Sequence, residues 1–235
     1  MSGIIVISVV FMVISWLVSN RLKSKFKKYS KVGLSNGMSG AEIAQRMLSD
    51  NGIHDVKVTH VEGQLTDHYN PQNKTVNLST DVYNGRSTAS AAVAAHEVGH
   101  AVQHATAYAA LQLRSTLVPA ASIASRVMGM LNMFLFMGGF YMITQGSAFG
   151  NILLLVLIGA NVAITAFSLI TLPVEFDASN RALKWMEARN IVNNQEHAQA
   201  KDALKWAAMT YVVGALAAVA NLAYFVMLFL GGRDD

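Results

Sequence analysis

The chain has 235 residues, of which 53% are hydrophobic and only 14% are charged, and its net charge is +4. This balance excludes an ordinary soluble globular protein and indicates a protein that lies in a membrane. The absence of cysteine excludes disulfide bonds and thiolate metal ligands, so any metal site must be built from histidine and carboxylate side chains.

Uncharged segments long enough to cross a bilayer recur along the chain. The first covers residues 3–19, and a cluster of lysine and arginine follows it, which is typical of an uncleaved anchor with its N-terminus outside the cell. The other predicted spans are residues 128–148, 151–173 and 207–231. Because the basic cluster lies beside a span, it is expected to meet anionic lipid headgroups, which argues against nucleic acid as a partner.

The segments between these spans carry an uneven charge. Residues 20–126 and 175–206 fall on one side of the membrane and hold every lysine and arginine except Arg233. By the positive-inside rule that side is cytoplasmic. The sequence therefore predicts a single membrane-embedded unit over residues 1–235. We expect a mainly α-helical integral membrane protein with about four transmembrane helices and a small cytoplasmic α+β insertion.

The cytoplasmic insertion is predicted to contain both helix and strand. Residues 38–51 form an amphipathic pattern, with Ser39 as a helix N-cap and Gly52 at the helix end. Alternating residues at 56–61 and 75–78 predict two strands, which we expect to form a short hairpin or a small sheet. An exposed strand of this kind either pairs with an extended substrate or only stabilises the insertion.

An HExxH motif follows an alanine-rich stretch that favours a helix. Chance alone predicts roughly 0.005 such motifs in a chain of this composition. On a helix, His96 and His100 lie on one face, so their imidazoles can bind the same Zn²⁺ ion. Glu97 lies beside that face, where it can take a proton from a water molecule at the metal. The motif predicts one zinc ion in each chain, with Glu97 as the general base.

Two histidines leave a catalytic zinc site without its third protein ligand. Thr106 occupies the position where the extended motif has a third histidine. His104 is eight residues from His96, and three ligands along one straight helix would span about 12 Å, which is too far for Zn–N bonds of about 2 Å. We expect His104 to be a neighbour of the site or a surface residue. The next carboxylates after the motif are Glu175 and Asp177, at the end of a predicted span, and either can be the third ligand.

Four stretches of the sequence carry a resemblance that covers almost the whole chain: LTDHYNP, KTVNLS, AAHEVGHAVQ and LPVEFDASNRAL. With them the chain resembles the YugP-like family of bacterial neutral zinc metallopeptidases, and more distantly the gluzincin-like HtpX and CAAX-prenyl peptidases. The resemblance implies a multi-pass enzyme of the bacterial inner (plasma) membrane. It also implies that His96, His100 and Glu175 are the zinc ligands and that Glu97 is the general base.

One position departs from the wider pattern of these peptidases. Ser179 lies four residues after Glu175, where that pattern has an aspartate that orients a ligating histidine. Asp177 and Asn180 are the candidate partners for that histidine.

The predicted function is hydrolysis of peptide bonds by a zinc-dependent endopeptidase at the cytoplasmic face of the membrane. Its predicted partners are the lipid bilayer and peptide or protein substrates that are membrane-associated or unfolded. His68, Arg181 and Tyr211 are candidates to stabilise the oxyanion. The alternative is a noncatalytic, zinc-stabilised module that acts as a partner or regulator of another membrane protein, but such a module has no need of Glu97 as a base. A transporter is disfavoured because the predicted spans carry no ionisable residue apart from their ends.

Overall fold

The computed structural model describes residues 2–135, 137, 140–144 and 147–231. The chain divides into two compact units. We call one of them the apolar unit; it comprises Met1–Trp16, Leu113–Leu172 and Tyr211–Asp235. We call the other the sheet unit; it comprises Leu17–Gln112 and Pro173–Thr210.

Helices dominate the part of the chain that the structure describes, and three short strands lie between the second and third helices. In chain order the elements are α1 (Ser2–Tyr29), α2 (Gly40–Asp50), β1 (Lys57–Val61), β2 (His68–Asn70), β3 (Thr75–Ser79), α3 (Thr80–Tyr83), α4 (Thr88–Ala105), α5 (Ala109–Phe134), α6 (Phe140–Thr144), α7 (Ala148–Ala188) and α8 (Asn194–Gly231).

Among the described residues, α1, α5, α7 and α8 are long and apolar enough to cross a membrane. Their number agrees with the predicted spans, and residues 3–19, 151–173 and 207–231 lie within α1, α7 and α8. The predicted span 128–148 does not coincide with one helix, because α5 begins at Ala109, well before this span, and ends at Phe134. Residues 136, 138, 139, 145 and 146 of that predicted span lie outside the described residues.

The early start of α5 has a physical reason. Residues 109–127 are rich in alanine and leucine, which favour a helix leading into the span, whereas Arg114 and Arg126 keep these residues out of the uncharged run that defined the predicted span. The guanidinium carbon of Arg114 lies 5.9 Å from the centroid of the Phe167 ring, within the cation–π range of about 6 Å. Pro119 lies inside α5 without ending it.

Helix α2 forms as the sequence predicts. The Ser39 side chain accepts a hydrogen bond from the backbone N–H of Glu42, and the Glu42 carboxylate accepts one from the backbone N–H of Ser39, which makes a capping box. The apolar face of the helix is buried in the core of the sheet unit, and each large side chain buried there contributes about 1.5–3 kcal/mol. The buried apolar residues of this face are Ile43, Ala44, Met47 and Leu48.

The sheet has the strand order β1, β3, β2. Both predicted strands are present, but the prediction that they pair as a hairpin is wrong, because β1 and β3 run parallel. The hairpin is made instead by β2 and β3, which run antiparallel. Parallel strands need a crossover connection, and β2 lies within it. Because β2 has only three residues, its alternation is too short to stand out in the sequence.

Helix α4 lies deep in the sheet unit. Its N-cap is Ser87, whose side chain accepts a hydrogen bond from the backbone N–H of Ser90. Most of the residues of α4 are buried, and the first half is largely alanine. Small side chains let neighbouring elements approach the helix backbone closely, so α4 can carry ionisable groups inside the unit and still be packed on nearly every side.

The apolar unit has its own small core. Leu154 and Leu157 of α7 pack in one buried cluster with Ile143 of α6 and Phe225 of α8. Large apolar side chains elsewhere in this unit are exposed, as on α1, where Met12 is 66% exposed. Exposed apolar surface of this kind is expected of helices that face lipid.

Candidate metal centre

The HExxH motif lies in the middle of α4, which carries its three ionisable residues, His96, Glu97 and His100. The ring centroids of His96 and His100 are 4.8 Å apart, and their planes make an angle of 81°. Glu97 and His100 are both buried, whereas His96 is partly exposed. The four-residue spacing on a regular helix therefore brings two imidazoles side by side at the edge of a buried region.

Glu175 of α7 completes the cluster, and its side chain is buried. Its Oε2 atom lies 3.3 Å from Nε2 of His96 and 3.6 Å from Nε2 of His100. Zinc bonds of about 2.0–2.1 Å at a tetrahedral angle separate two ligand atoms by about 3.4 Å. The ligand atoms of the three residues all lie within 4.8 Å of one another. Their chemistry and their spacing therefore fit one Zn²⁺ ion.

A glycine makes this approach of α4 and α7 possible. A Cβ atom at Gly99 would lie 2.6 Å from the carbonyl oxygen of Ala178 and 3.1 Å from its Cα atom. Any side chain at position 99 would push against the backbone of α7. Gly99, inside the motif, therefore lets the helix that carries Glu175 reach the two histidines.

The second ring nitrogen of His96 also has a partner. Nδ1 of His96 lies 3.1 Å from the hydroxyl oxygen of Ser179. Ser179 is the residue at the position where the wider pattern has an aspartate, and its hydroxyl contacts a ligating histidine. The sequence candidates for this role are not used, because Asn180 is exposed and Asp177 bonds to other groups. A neutral hydroxyl thus orients this imidazole.

The second ring nitrogen of His100 meets an amide. Nδ1 of His100 lies 3.0 Å from Oε1 of Gln103, one turn further along α4. The Nε2 group of Gln103 donates to the carbonyl oxygen of Val174 and to Oδ2 of Asp177, each at 2.8 Å. Asp177 also accepts a hydrogen bond from Nε of Arg181 at 2.5 Å. Asp177 therefore supports the site from outside the ligand cluster.

Glu97 is held by the sheet. Its Oε2 atom accepts a hydrogen bond of 3.0 Å from the backbone N–H of Tyr69, in β2. Since β2 is an edge strand of the sheet and Tyr69 directs this N–H away from β3, the outer edge of β2 faces the carboxylate. The short strand therefore fixes the position of Glu97 beside the two histidines.

Burial and the neighbouring groups have opposite effects on the pKa of His100. Burial lowers the pKa of His100, but the Glu175 carboxylate, the charge of Glu97 and the Gln103 amide together raise it above its ordinary value. In the metal-free protein the two carboxylates therefore favour a proton on this imidazole. Zinc binding requires the neutral imidazole, so a metal ion and a proton compete for the same nitrogen.

The other residues that the sequence offered for the site are His104 and the three candidates to stabilise the oxyanion. His104 is exposed, and its Nδ1 lies 2.7 Å from the Tyr69 hydroxyl oxygen. His68 is exposed, and its Nδ1 lies 2.8 Å from the Thr66 carbonyl oxygen. Arg181 pairs with Asp177, and Tyr211 belongs to the apolar unit. The expectation that His104 is a neighbour or surface residue agrees with its exposure.

Sequence reasoning missed two contributors, Tyr69 and Gln103. Tyr69 contacts Glu97 through its backbone N–H, and because every residue except proline has this group, the residue type gives no signal. Gln103 carries a sequence signal, because it is a polar residue three positions after His100 on a helix that is otherwise largely apolar. Its burial is complete, so its polar atoms must find partners inside the protein.

Two histidines one turn apart on a helix, a glutamate from a second helix and a further buried glutamate beside them are typical of one class of protein, the zinc metallopeptidases. The four long apolar helices fit a membrane protein of that class.

Comparison with known proteins agrees with this class. The chain belongs to the family described as "Putative neutral zinc metallopeptidase", which it matches over residues 4–230. It is 45% identical over 222 residues to the "Putative membrane protease YugP" of Bacillus subtilis (strain 168), and the alignment covers 94% of each chain. No solved structure matches the chain.

Proposed function

We propose that the protein is an integral membrane zinc-dependent endopeptidase that hydrolyses peptide bonds at the cytoplasmic face of the bacterial plasma membrane. The observation that carries the proposal is the meeting of His96, His100 and Glu175 at zinc-ligand distances, with the Glu97 carboxylate beside them. Family membership supports the same reading. His96, His100 and Glu175 are the proposed ligands, which leaves a fourth position open for water and substrate.

Glu97 is the proposed general base. A bound zinc ion supplies a Lewis acid that polarises the scissile carbonyl and acidifies water. Glu97 takes a proton from the attacking water and later gives it to the leaving amine nitrogen. The hydrogen bond from the Tyr69 N–H holds Oε2, so the other carboxylate oxygen is the one that moves the proton. Because Glu97 is already positioned by the backbone, it needs no rearrangement before the reaction.

The outer edge of β2 is the proposed binding site for the substrate backbone. In an antiparallel strand the N–H and C=O of one residue point to the same side, so both groups of Tyr69 lie on the edge that faces Glu97. An extended peptide added to this edge would lie next to the catalytic carboxylate. Recognition through main-chain groups suits an endopeptidase that accepts many sequences.

The proposed location follows from the distribution of charge. The segments that carry the site also carry nearly all lysine and arginine residues, which supports a cytoplasmic position and an N-terminus outside. A site at the membrane surface meets membrane proteins with cytosolic loops, unfolded chains and lipid-attached peptides. We therefore propose membrane-associated or unfolded proteins as substrates. Turnover restricted to small, freely soluble peptides would contradict this part of the proposal.

Metal content and proteolysis of the same samples test the proposed function. The full-length protein is purified in detergent as wild type, Glu97→Gln and Glu175→Gln. The matched control is Glu187→Gln, an exposed glutamate on the same helix as Glu175. Each sample is analysed for zinc and then incubated with an unfolded soluble protein and with a membrane protein that has cytosolic loops.

We expect about one zinc ion in each chain of the wild type, Glu97→Gln and Glu187→Gln, and little zinc in Glu175→Gln. Cleavage is expected only from the wild type and Glu187→Gln. Full zinc content in Glu175→Gln would move the third ligand to another residue. Zinc without cleavage of either substrate in the wild type would favour the noncatalytic module that stabilises or regulates another membrane protein.

A further inference from the structure

Gln103 is fully buried next to the proposed metal ligands. A primary amide has a carbonyl oxygen that only accepts hydrogen bonds and an amino group that only donates them. The three hydrogen bonds of the Gln103 side chain go to His100 or to residues within two positions of Glu175. An amide at this depth is therefore part of the site and not a surface group.

The partners of Gln103 decide which way its amide points. The carbonyl oxygen of Val174 can only accept a hydrogen bond, and it lies 2.8 Å from the amide nitrogen. The second partner of the same nitrogen is the Asp177 carboxylate, which is paired with Arg181. Both partners demand a donor, so the amino group must face α7. The carbonyl oxygen of Gln103 must then face His100.

This orientation decides the tautomer of His100. Because Oε1 of Gln103 only accepts, the neighbouring Nδ1 of His100 must carry the proton. The lone pair of the neutral ring is then on Nε2, the nitrogen that faces Glu175 at 3.6 Å. That is the nitrogen a metal ion would use. The Ser179 hydroxyl does not decide the tautomer of His96 in this way, because a hydroxyl can donate or accept.

We propose that Gln103 is a positioning residue that fixes the metal-binding tautomer of His100. The same amide holds both flanks of Glu175, since Val174 precedes it and Asp177 follows it by two residues. One side chain thus sets the orientation of a ligand on α4 and the register of a ligand on α7. The proposal rests on the proposed function for the identity of the ligand, a zinc ion, but the tautomer it assigns is that of the neutral imidazole, which the metal-free protein also forms at high pH.

The test combines two substitutions at Gln103. Gln103→Met fills the same volume but has no strong acceptor for Nδ1 of His100 and no donor for α7. Gln103→Glu keeps an acceptor for Nδ1 but loses the donors to Val174 and Asp177. The control is Leu48→Ala, which removes a buried side chain of α2 in the same unit and costs about 2–5 kcal/mol without touching the centre. Asp177→Ala, at a partly exposed position, is the variant that least threatens folding.

Two readouts are measured on the full-length protein in detergent. The first is the zinc dissociation constant from competition with a chelator, together with the absorption spectrum of bound Co²⁺, which reports the coordination geometry. The second is the ¹⁵N NMR signature of the His100 ring in the metal-free protein, recorded at a pH high enough to make the imidazole neutral and assigned by its loss in His100→Asn. The second readout needs neither metal nor proteolysis.

We expect Gln103→Met to weaken zinc binding by about 10–100-fold and to change the Co²⁺ spectrum. Its metal-free form should populate both neutral tautomers of His100, whereas wild type and Gln103→Glu should keep the proton on Nδ1. Asp177→Ala should keep the tautomer and lose affinity by less than Gln103→Met. Leu48→Ala should bind zinc as the wild type does.

Either of two results would overturn the proposal: a His100 tautomer in Gln103→Met that is the same as in the wild type, or equal losses of zinc affinity in Gln103→Met and Leu48→Ala. A wild type that binds no zinc but shows Nδ1-protonated His100, lost in Gln103→Met, would support the positioning role and refute the proposed metallopeptidase function. The two ideas therefore fail separately.

Discussion

Gly99 of α4 and Ala178 of α7 lie so close that a Cβ atom at position 99 would be 2.6 Å from the Ala178 carbonyl oxygen. Replacing Gly99 by alanine therefore forces the two helices apart, and overpacking of this kind costs about 1–3 kcal/mol. Because Glu175 lies on α7 and the histidines on α4, the separation should weaken zinc binding by about tenfold or more. The zinc dissociation constant, measured by chelator competition, checks this prediction.

The control for Gly99→Ala is Gly129→Ala. Gly129 lies in α5, where a Cβ atom would meet nothing within 4 Å, so alanine should fit and slightly favour the helix. We expect zinc binding to be unchanged in this variant. Wild-type zinc affinity in Gly99→Ala would mean that the contact does not limit the distance between the ligands.

The backbone N–H of Tyr69, and not its phenol, is predicted to position Glu97. Tyr69→Phe keeps this N–H and removes only the hydroxyl bond to His104, so kcat should stay within about threefold of the wild type. Tyr69→Pro removes the donor, and an edge strand tolerates proline where its N–H points away from the sheet. We expect Tyr69→Pro to lower kcat by about 10–100-fold while the zinc content stays at the wild-type level.

Steady-state kinetics on an unfolded protein and zinc analysis of both Tyr69 variants make this comparison. A loss of about 100-fold or more in kcat for Tyr69→Phe would assign a direct catalytic role to the hydroxyl, in the way an oxyanion donor acts. That result would contradict the prediction that Tyr69 acts only through its backbone N–H.

Ser179 is predicted to orient His96 through its hydroxyl, which lies 3.1 Å from Nδ1. Ser179→Ala removes the partner of that nitrogen and should weaken zinc binding by about tenfold. Ser179→Asp supplies a charged acceptor and should strengthen zinc binding, since a carboxylate makes the ligating imidazole more basic. Chelator competition measures both changes. The matched control, Ser122→Ala at an exposed position of α5, should leave the affinity unchanged.

A tighter zinc complex in Ser179→Ala than in the wild type would show that the hydroxyl opposes metal binding at His96. The same series would then assign the orientation of His96 to packing rather than to a hydrogen bond.

Ser39 is predicted to stabilise the sheet unit through the capping box of α2. Ser39→Ala removes the acceptor for the Glu42 N–H, and loss of such a cap costs about 1 kcal/mol of unfolding free energy. Thermal unfolding of the detergent-solubilised protein should show a lower midpoint for this variant. Ser49→Ala, at an exposed position near the end of the same helix, is the control and should leave the midpoint unchanged or slightly raised. Equal midpoints for the two variants would argue against a stabilising cap.

The strands illustrate where the sequence was sufficient and where it was not. Alternation of apolar and polar residues predicted β1 and β3, because alternation is a local property, although in β3 the polar Asn77 and Ser79 are buried as well. Their parallel pairing was not predictable from alternation, since the direction of pairing depends on the connection between the strands. The connection contains β2, a strand of three residues that gains its regular structure only from β3 on one side.

The spans show a related limit. Hydropathy located three of the long helices within the observed α1, α7 and α8, because a long apolar run needs no tertiary partner to be recognised. The predicted span 128–148 starts later than α5, since Arg114 and Arg126 interrupt the uncharged run but not the helix. The orientation in the membrane stays a prediction, and the distribution of lysine and arginine carries it.

The sequence by itself determined the helix that bears the motif, because the four-residue spacing of His96 and His100 and the nearby Glu97 are fixed by helical geometry. It narrowed the third ligand to two carboxylates. Only the tertiary structure brought Glu175, and not Asp177, to the histidines, since that choice depends on which face of α7 packs against α4. The partners that orient the ligands and the base come from distant parts of the chain, and no local pattern encodes contacts that form only when α4, α7 and the sheet pack together.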